Sequence, residues 1–211
     1  MMHGIFWLGQ SAFRIESQGK ILYIDPYNIT DADKKADLIL VTHAHFDHCS
    51  PPDVKKIMKK GTIIAAAESC ESKFENEIKT MRPGDRFDEA GFSVEAVRAY
   101  NTNKNFHPKS NGWLGFVINL PDRRKVYHAG DTDNIPDMKD IKNIDIALLP
   151  VGGTYTMTPE EAAEAALVLS PKIAIPMHYG SIVGSPGDAD KFAALLKGKI
   201  KVVIMGSGLD I

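Results

Sequence analysis

The chain has 211 residues, of which 44% are hydrophobic and 25% charged, and its formal net charge at pH 7 is -2. This composition is typical of a soluble globular protein, and the length suits a single domain, which we expect to span residues 1–211. The charge argues against a dedicated nucleic-acid surface, because such a surface usually needs a basic excess.

Nothing in the sequence indicates export or a membrane. The N-terminus lacks the basic start and the apolar stretch of a signal peptide, and no apolar run approaches the roughly 20 residues of a membrane-spanning helix. Cys49 and Cys70 are too few for a disulfide scaffold and are interpreted as small buried residues. We therefore expect a cytoplasmic protein with no membrane partner.

The first quarter of the chain is rich in short strands. Turn residues separate runs at 4–8, 12–16 and 20–25, which predicts an antiparallel meander. Leu38–Thr42 is continuously apolar, as expected of a strand that is buried on both faces. After a loop at 43–50, Ser50-Pro51-Pro52 is typical of a helix start. The solvated face of that helix is predicted to carry Lys55, Lys56, Lys59 and Lys60.

Strands and helices alternate along much of the remaining chain. Strands are predicted at 62–67, within 85–120, and at 125–128, 144–150, 173–176 and 201–205. Helices are predicted at 69–79, 158–169 and 189–196. The helix at 158 has a capping threonine, a proline at the first position and acidic residues in the first turn. This order predicts an α/β fold of two sheets with helices outside them.

The strongest chemical signal is the segment Thr42-His43-Ala44-His45-Phe46-Asp47-His48, directly after the buried strand. Residues two apart in an extended segment point the same way, so His43 and His45 can hold one ion together. Asp47 and His48 lie where the chain must turn, and can face the same cavity from another side. Imidazole and carboxylate groups suit zinc, iron or manganese. A histidine-rich surface loop is the alternative, but the position at a strand end favours a metal site.

Four ligands from one loop rarely close a metal site, so partners are expected elsewhere in the chain. His178 follows the predicted strand at 173–176. His128 and Asp131 follow the predicted strand residues 125–127. His107 lies in the polar loop 101–112. Each of these three elements therefore offers at least one further ligand.

These features resemble the metallo-β-lactamase superfamily. The resemblance rests on His-x-His-x-Asp-His at 43–48, Gly-Asp-Thr at 130–132 and the strand end at His178, and it spans nearly the whole chain. It implies a four-layer αββα sandwich of two sheets with outer helices. More narrowly, segments 7–13, 127–132, 149–157 and 176–179 are similar to small metal-dependent hydrolases of the ascorbate-6-phosphate lactonase-like branch. Relatives of that branch often carry histidine where Gln10 stands, a departure that we expect to affect the pocket rather than the metals.

The resemblance implies two divalent ions as cofactors, with zinc preferred over manganese and iron. In the family pattern the first ion is held by His43, His45 and His107. The second ion is held by Asp47, His48 and His178. Asp131 bridges both ions. His107 lies in an irregular loop, and if it is not a ligand, His128 is expected to take its place. If His107 is a ligand, His128 either holds a ligand carboxylate in position or is a plain buried histidine.

The implied activity is hydrolysis of a small ester-like bond, either a lactone or a phosphodiester. Metal ions lower the pKa of bound water to about 7, so a hydroxide between the two ions exists at neutral pH. Asp47 is predicted to be the catalytic group that orients this hydroxide and takes up its proton. Tyr155 either donates to a developing oxyanion or only packs. Contact of Asn101, Asn103 and Lys104 with substrate is one alternative, but their loop is simply polar, and most such residues only face water.

Three other functions compete with this prediction. A nuclease or other nucleic-acid phosphodiesterase usually has a gripping arm or a basic surface, and the sequence shows neither. A redox relative such as a di-iron oxygen reductase needs an acidic residue where His45 stands. A non-catalytic metal-binding module is expected to have lost ligands, whereas every ligand of the family pattern is present. We therefore expect a small-molecule substrate, no nucleic-acid partner and a chain that can form a homo-oligomer.

Overall fold

Two mixed β-sheets form the centre of the computed structural model, which describes residues 3–30, 34–75 and 77–206. Within those ranges the first sheet contains six strands, in chain order: β1 (Ile5–Gly9), β2 (Ala12–Ser17), β3 (Lys20–Ile24), β4 (Leu38–Val41), β5 (Ile63–Ala67) and β6 (Lys79–Met81). Strands β1 to β3 are antiparallel, as the predicted meander requires, and β3 to β6 are parallel. The apolar run at 38–41 therefore becomes an inner strand, with each of its residues buried.

The second sheet repeats this arrangement along the chain. Its strands in the described residues are β7 (Arg86–Glu89), β8 (Phe92–Arg98), β9 (Leu114–Asn119), β10 (Lys125–His128), β11 (Ile146–Pro150), β12 (Ile173–Met177) and β13 (Lys201–Val202). Strands β7 to β10 are antiparallel, and β10 to β13 are parallel. Each sheet thus has a parallel part, whose strand ends are the usual place for ligands in α/β folds.

The helices lie outside the sheets. They are α1 (Pro51–Ile57), α2 (Pro159–Leu169) and α3 (Pro186–Leu196), with 3-10 segments at Glu68–Lys73, Lys109–Asn111 and Pro136–Asp140. Helices α2 and α3 pack on each other; α2 also contacts β11, and α3 contacts β12 and β13. The predicted α/β fold of two sheets with outer helices is confirmed. In the described part of the chain, no helix has the length and apolar character needed to span a membrane.

Several predicted element ends are wrong. In place of the helix predicted at 69–79, the structure has only the 3-10 segment Glu68–Lys73. Cys70 is the single buried side chain of this segment, so no apolar face holds a longer helix on the sheet. Residue 76 of the predicted helix lies outside the described residues. Helix α1 ends at Ile57, so Lys59 and Lys60 follow it, although both are exposed as expected.

Helix α3 and strand β13 also differ from the predicted ranges. Helix α3 begins at Pro186 rather than 189, because the backbone N–H and the hydroxyl of Ser185 both donate to the carboxylate of Asp188 and cap the helix. Strand β13 covers two residues rather than the predicted 201–205. By contrast, α2 has the predicted bounds and a capping box between Thr158 and Glu161.

Candidate metal centre

The candidate site lies where loops from both sheets meet. The loop after β4 carries residues 43–48, the loop after β10 carries Asp131, and His178 directly follows β12. Two backbone hydrogen bonds connect the two sheets at this end: Leu114 donates to Thr42 at 3.1 Å and His178 donates to Gln10 at 2.8 Å. Most predicted ligands therefore follow the ends of parallel strands, whereas His107 comes from the loop between the antiparallel strands β8 and β9.

The expected ligands fall into two groups in the described structure. Within each group the potential ligand atoms lie within 4.8 Å of one another. One group consists of His43, His45, His107 and Asp131, and the other consists of Asp47, His48 and His178. This division is the same as that implied by the family pattern; that the groups bind ions stays a prediction.

The carboxylate of Asp131 faces both groups. Its Oδ2 atom lies 3.2 Å from Nε2 of His107 and 3.2 Å from Nε2 of His178, and its Oδ1 atom lies 3.3 Å from Nε2 of His48. The side chain is almost completely buried. A carboxylate in this position has the geometry that a bridging ligand needs.

Four buried polar atoms of the candidate ligand residues lack a well-aligned hydrogen bond: Nε2 of His48, Nε2 of His107, Nδ1 of His178 and Oδ1 of Asp131. More than about 90% of buried polar groups in proteins are hydrogen-bonded, so a concentration of exceptions needs a cause. Imidazole nitrogens and a carboxylate oxygen that share one cluster are good ligands for a divalent transition metal. The donor set therefore fits metal ions.

The charges of the cluster also suit a cation. Burial alone lowers the pKa of His48, but the carboxylates of Asp131 and Asp25 outweigh it and raise that pKa well above its ordinary value. Burial alone raises the pKa of Asp131, but His178 and His48 hold it well below its ordinary value. Burial, followed by the neighbouring His48, lowers the pKa of His43 well below its ordinary value. The carboxylates of Asp25 and Asp131 therefore favour positive charge at the centre of the site, which a bound cation would supply in place of the proton on His48.

Asp25 orients His48 and was not identified as a functional residue from the sequence. Its Oδ2 atom lies 2.7 Å from Nδ1 of His48 and accepts a hydrogen bond of 2.7 Å from the hydroxyl of Thr42. Its Oδ1 atom accepts the backbone N–H of Thr42 at 2.7 Å. A carboxylate behind a ligand histidine sets the tautomer and leaves Nε2 for the metal. The available signal was an aspartate that directly follows the buried end of β3.

The loop with Asn101 and Lys104 does more than face water, which corrects the sequence-based expectation. The Asn101 side-chain oxygen lies 3.1 Å from Nδ1 of His107 and accepts its backbone N–H at 2.9 Å. Asp133 accepts hydrogen bonds from the Asn101 amide at 3.0 Å and from Nζ of Lys104 at 2.7 Å. These contacts position His107, whereas Asn103 is exposed.

Gln10 is connected to the ligands and not only to the pocket. Its Nε2 atom donates to Oδ2 of Asp47 at 2.9 Å, and its backbone oxygen accepts from His178. Gln10, Asp25 and His178 all have φ between 46° and 58°, in the left-handed region that non-glycine residues seldom occupy. Such strain persists where the surrounding contacts over-determine the backbone, and it clusters at functional sites.

Trp113 and His128 are aromatic residues near the candidate ligands, and they have different roles. The Trp113 ring centroid lies 4.7 Å from that of His43, 4.8 Å from His45 and 5.3 Å from His107, so it forms one wall of the first group. His128 belongs to neither group: its Nε2 atom lies 2.9 Å from the Ser11 oxygen, and Nδ1 accepts from the Gly130 N–H. His128 is therefore a plain buried histidine, and the two groups form without the reserve ligand.

A cavity of about 280 Å³ opens directly over the cluster. It is lined by His45, Phe46, Asp47, Phe106, His107, Asp131, Tyr155, His178 and Ile182. A larger cavity of about 650 Å³ lies beside Glu16, Lys34 and Arg124, but neither ligand group contributes to its wall. The chemistry of the lining, rather than cavity size, identifies the smaller cavity as the candidate active site.

Comparisons with known proteins agree with this site. Residues 4–178 match the family model described as the Beta-lactamase superfamily domain. The UPF0173 metal-dependent hydrolase of Thermoplasma acidophilum is 37% identical over 205 residues, with 90% of this chain and 89% of that protein covered. The corresponding protein of Thermococcus onnurineus is 35% identical over 218 residues, with 96% of each chain covered.

Solved structures share the fold. The crystal structure of a candidate metal-dependent hydrolase from Parabacteroides distasonis has a TM-score of 0.87 at 35% identity and covers 95% of this chain and 91% of that one. Igni18, a metallo hydrolase from Ignicoccus hospitalis, has a TM-score of 0.80 at 26% identity, with 98% and 96% covered. The chain therefore belongs to the metallo-β-lactamase superfamily and is a metal-dependent hydrolase of the UPF0173 type.

Proposed function

We propose that this hydrolase uses two metal ions to cleave a small ester-like bond, a lactone or a phosphodiester. The observation that carries the proposal is the carboxylate of Asp131, whose Oδ2 atom contacts both ligand groups, through His107 and His178, while its Oδ1 atom contacts His48 of the second group. His43, His45 and His107 would hold one ion, Asp47, His48 and His178 would hold the other, and Asp131 would be a ligand of both. The narrower resemblance to the ascorbate-6-phosphate lactonase-like branch stays a prediction.

When bound, the two ions supply a nucleophilic hydroxide at neutral pH and polarise the scissile carbonyl or phosphoryl oxygen. The protein supplies the positions of the ligands. Asp25 and Asn101 hold His48 and His107 with Nε2 directed at the cluster. Fixing ligands before the reaction removes the cost of reorganising them during it.

Asp47 is proposed as the group that orients the attacking water and accepts its proton. Its carboxylate lines the cavity, and Gln10 holds Oδ2 by a hydrogen bond of 2.9 Å. Burial raises the pKa of Asp47, but His48 outweighs burial and holds the pKa below its ordinary value. Asp47 is therefore ionised at neutral pH, as a proton acceptor must be.

Zinc is the proposed ion, because imidazoles dominate the donor set; manganese and iron are the alternatives.

The nuclease alternative is disfavoured, since neither lysine nor arginine is among the described residues that line the cavity. A cytoplasmic location, a single domain over residues 1–211 and a homo-oligomer stay predictions of the sequence.

The test is hydrolysis of a small panel by zinc-reconstituted protein, with Asp131→Ala as the control. The panel contains a sugar-phosphate lactone, an aryl phosphodiester, a thioester and a β-lactam. We expect turnover of a lactone or of the phosphodiester by the wild type and none by the variant. Equal turnover by both proteins would contradict the role of Asp131, and no turnover by a fully metal-loaded wild type would contradict the proposed bond class.

A further inference from the structure

The mouth of the candidate active site is unusually apolar for an exposed surface. The side chains of Phe46, Phe106 and Ile182 are 66%, 49% and 38% exposed. All three line the cavity whose wall also includes candidate metal-ligating side chains. Scattered exposed apolar side chains are ordinary, but a group that surrounds a cleft is typical of a ligand-binding surface.

These apolar walls are held in defined positions. The ring of Phe106 packs edge-on against that of Tyr155 with centroids 4.7 Å apart, and the ring of Phe46 packs edge-on against that of Tyr27 at 5.9 Å. Phe46 lies between two expected ligands in the chain, and Phe106 directly precedes His107. The rings are therefore fixed at a short distance from the atoms that would act on a substrate.

The described part of the same walls offers no basic side chain beyond the candidate ligand histidines. In the described residues the cavity lining contains no lysine or arginine. Lys104, two residues before Phe106, lies 2.7 Å from the buried carboxylate of Asp133 and 3.6 Å from Glu161. Recognition of a phosphate group usually needs such cations or several N–H donors. An apolar group would instead gain affinity by leaving water between these rings.

We propose that the substrate is an uncharged lactone or ester with an aromatic group beside the scissile ester bond. This rests on the proposed function and narrows it. The aromatic group lies between Phe46, Phe106, Tyr155 and Ile182, and the carbonyl faces the metal cluster. The oxygen of water bonds to the carbonyl carbon and the C–O bond to the leaving oxygen breaks. One proton of water is transferred to the leaving oxygen, and the other is released as the product acid ionises.

The test compares γ-phenyl-γ-butyrolactone, unsubstituted γ-butyrolactone and a sugar-phosphate lactone as substrates of zinc-loaded protein. Binding of the corresponding γ-lactams, with and without the phenyl group, is measured by calorimetry as a readout that does not depend on turnover. Phe46→Ser and Phe106→Ser are the test variants, since both rings are exposed and contribute little to the core. Leu167→Ser, at a 46% exposed position on α2, is the matched control.

We expect the phenyl group to improve kcat/KM and lactam affinity by at least about tenfold, as burial of a ring predicts. Each phenylalanine variant is expected to lose most of this gain with unchanged zinc content, while Leu167→Ser keeps it. Equal values with and without the phenyl group, or a preference for the phosphorylated lactone, would overturn the inference but leave the hydrolase intact. A third outcome is that the phenyl group improves lactam binding, that both phenylalanine variants weaken this binding, and that no lactone is hydrolysed. This outcome would support the aromatic pocket and contradict lactone hydrolysis.

Discussion

His43, His48 and His107 are each contacted at Nδ1 by a neighbour outside the ligand groups. The partners are the Thr42 hydroxyl at 3.0 Å, the Asp25 carboxylate at 2.7 Å and the Asn101 side-chain oxygen at 3.1 Å. Such contacts set the ring orientation and leave Nε2 for a metal ion. At the residue scale, the site therefore depends on these neighbours as well as on the ligands.

Asp25→Asn tests this dependence at His48. The amide keeps the shape of the side chain but removes the charge that orients the imidazole, so we expect metal affinity to fall by roughly 10–100-fold. Competition with a chelator measures the loss. Asp88→Asn, at an exposed position on β7, serves as the control. Unchanged affinity in Asp25→Asn would show that Asp25 does not support the metal site.

His178→Ala tests the division of the ligands into two groups. His178 belongs to the group of Asp47 and His48, so the variant should lose one ion and keep the other, held by His43, His45 and His107. Metal analysis after reconstitution measures the ions per chain. Equal loss of both ions would contradict the division.

At the scale of elements, the loop after β10 approaches β9 so closely that only glycine fits at position 130. Gly130 has φ of +65°, and a Cβ atom there would lie 2.4 Å from the backbone oxygen of Leu114. Because Gly130 directly precedes Asp131, the close approach also determines where the carboxylate of Asp131 lies.

Gly130→Ala is therefore expected to destabilise the fold by more than about 2 kcal/mol, from both backbone strain and the clash. The matched variant is Gly61→Ala, where φ is +87° and the added Cβ would meet nothing within 4 Å. It should cost about 1–2 kcal/mol, from the left-handed backbone alone. Urea unfolding of both variants measures the difference; equal losses would argue against the clash.

At the scale of the whole molecule, the candidate metals would lie between loops of both sheets. Ligands follow β4 in one sheet and β10 and β12 in the other, so bound ions connect the two sheets at this end. Ions that bind only the folded chain stabilise it by mass action.

Removal of the metals should therefore lower the melting temperature. One ion at a free concentration of 100 times its Kd contributes about 2.7 kcal/mol. For a chain of this size that corresponds to a shift of about 5–11 °C. Thermal unfolding with and without a chelator measures the shift, and Asp131→Ala should respond less. A wild type that melts at the same temperature in both conditions would contradict this account.

The sequence allowed prediction of the ligands because most of them are adjacent in the chain or follow an apolar strand. Strand periodicity indicated His43 and His45, the turn after them indicated Asp47 and His48, and a strand end indicated His178; the division of the ligands between two ions came from the family resemblance. Asp25 was not identified, and the contacts of Gln10 and Asn101 with the ligands were not predicted, because these contacts join residues that are far apart in the chain. The short helix at 69–79 was wrong for a related reason: its length is set by the apolar surface available on the sheet, which local residues do not reveal.

The metal content of the reconstituted wild type tests the central proposal most directly. Protein that has been stripped of metal, loaded with zinc and freed of excess ion should contain two zinc ions per chain, because two ligand groups share the carboxylate of Asp131. A saturating content of one ion per chain, or none, would contradict the dinuclear site.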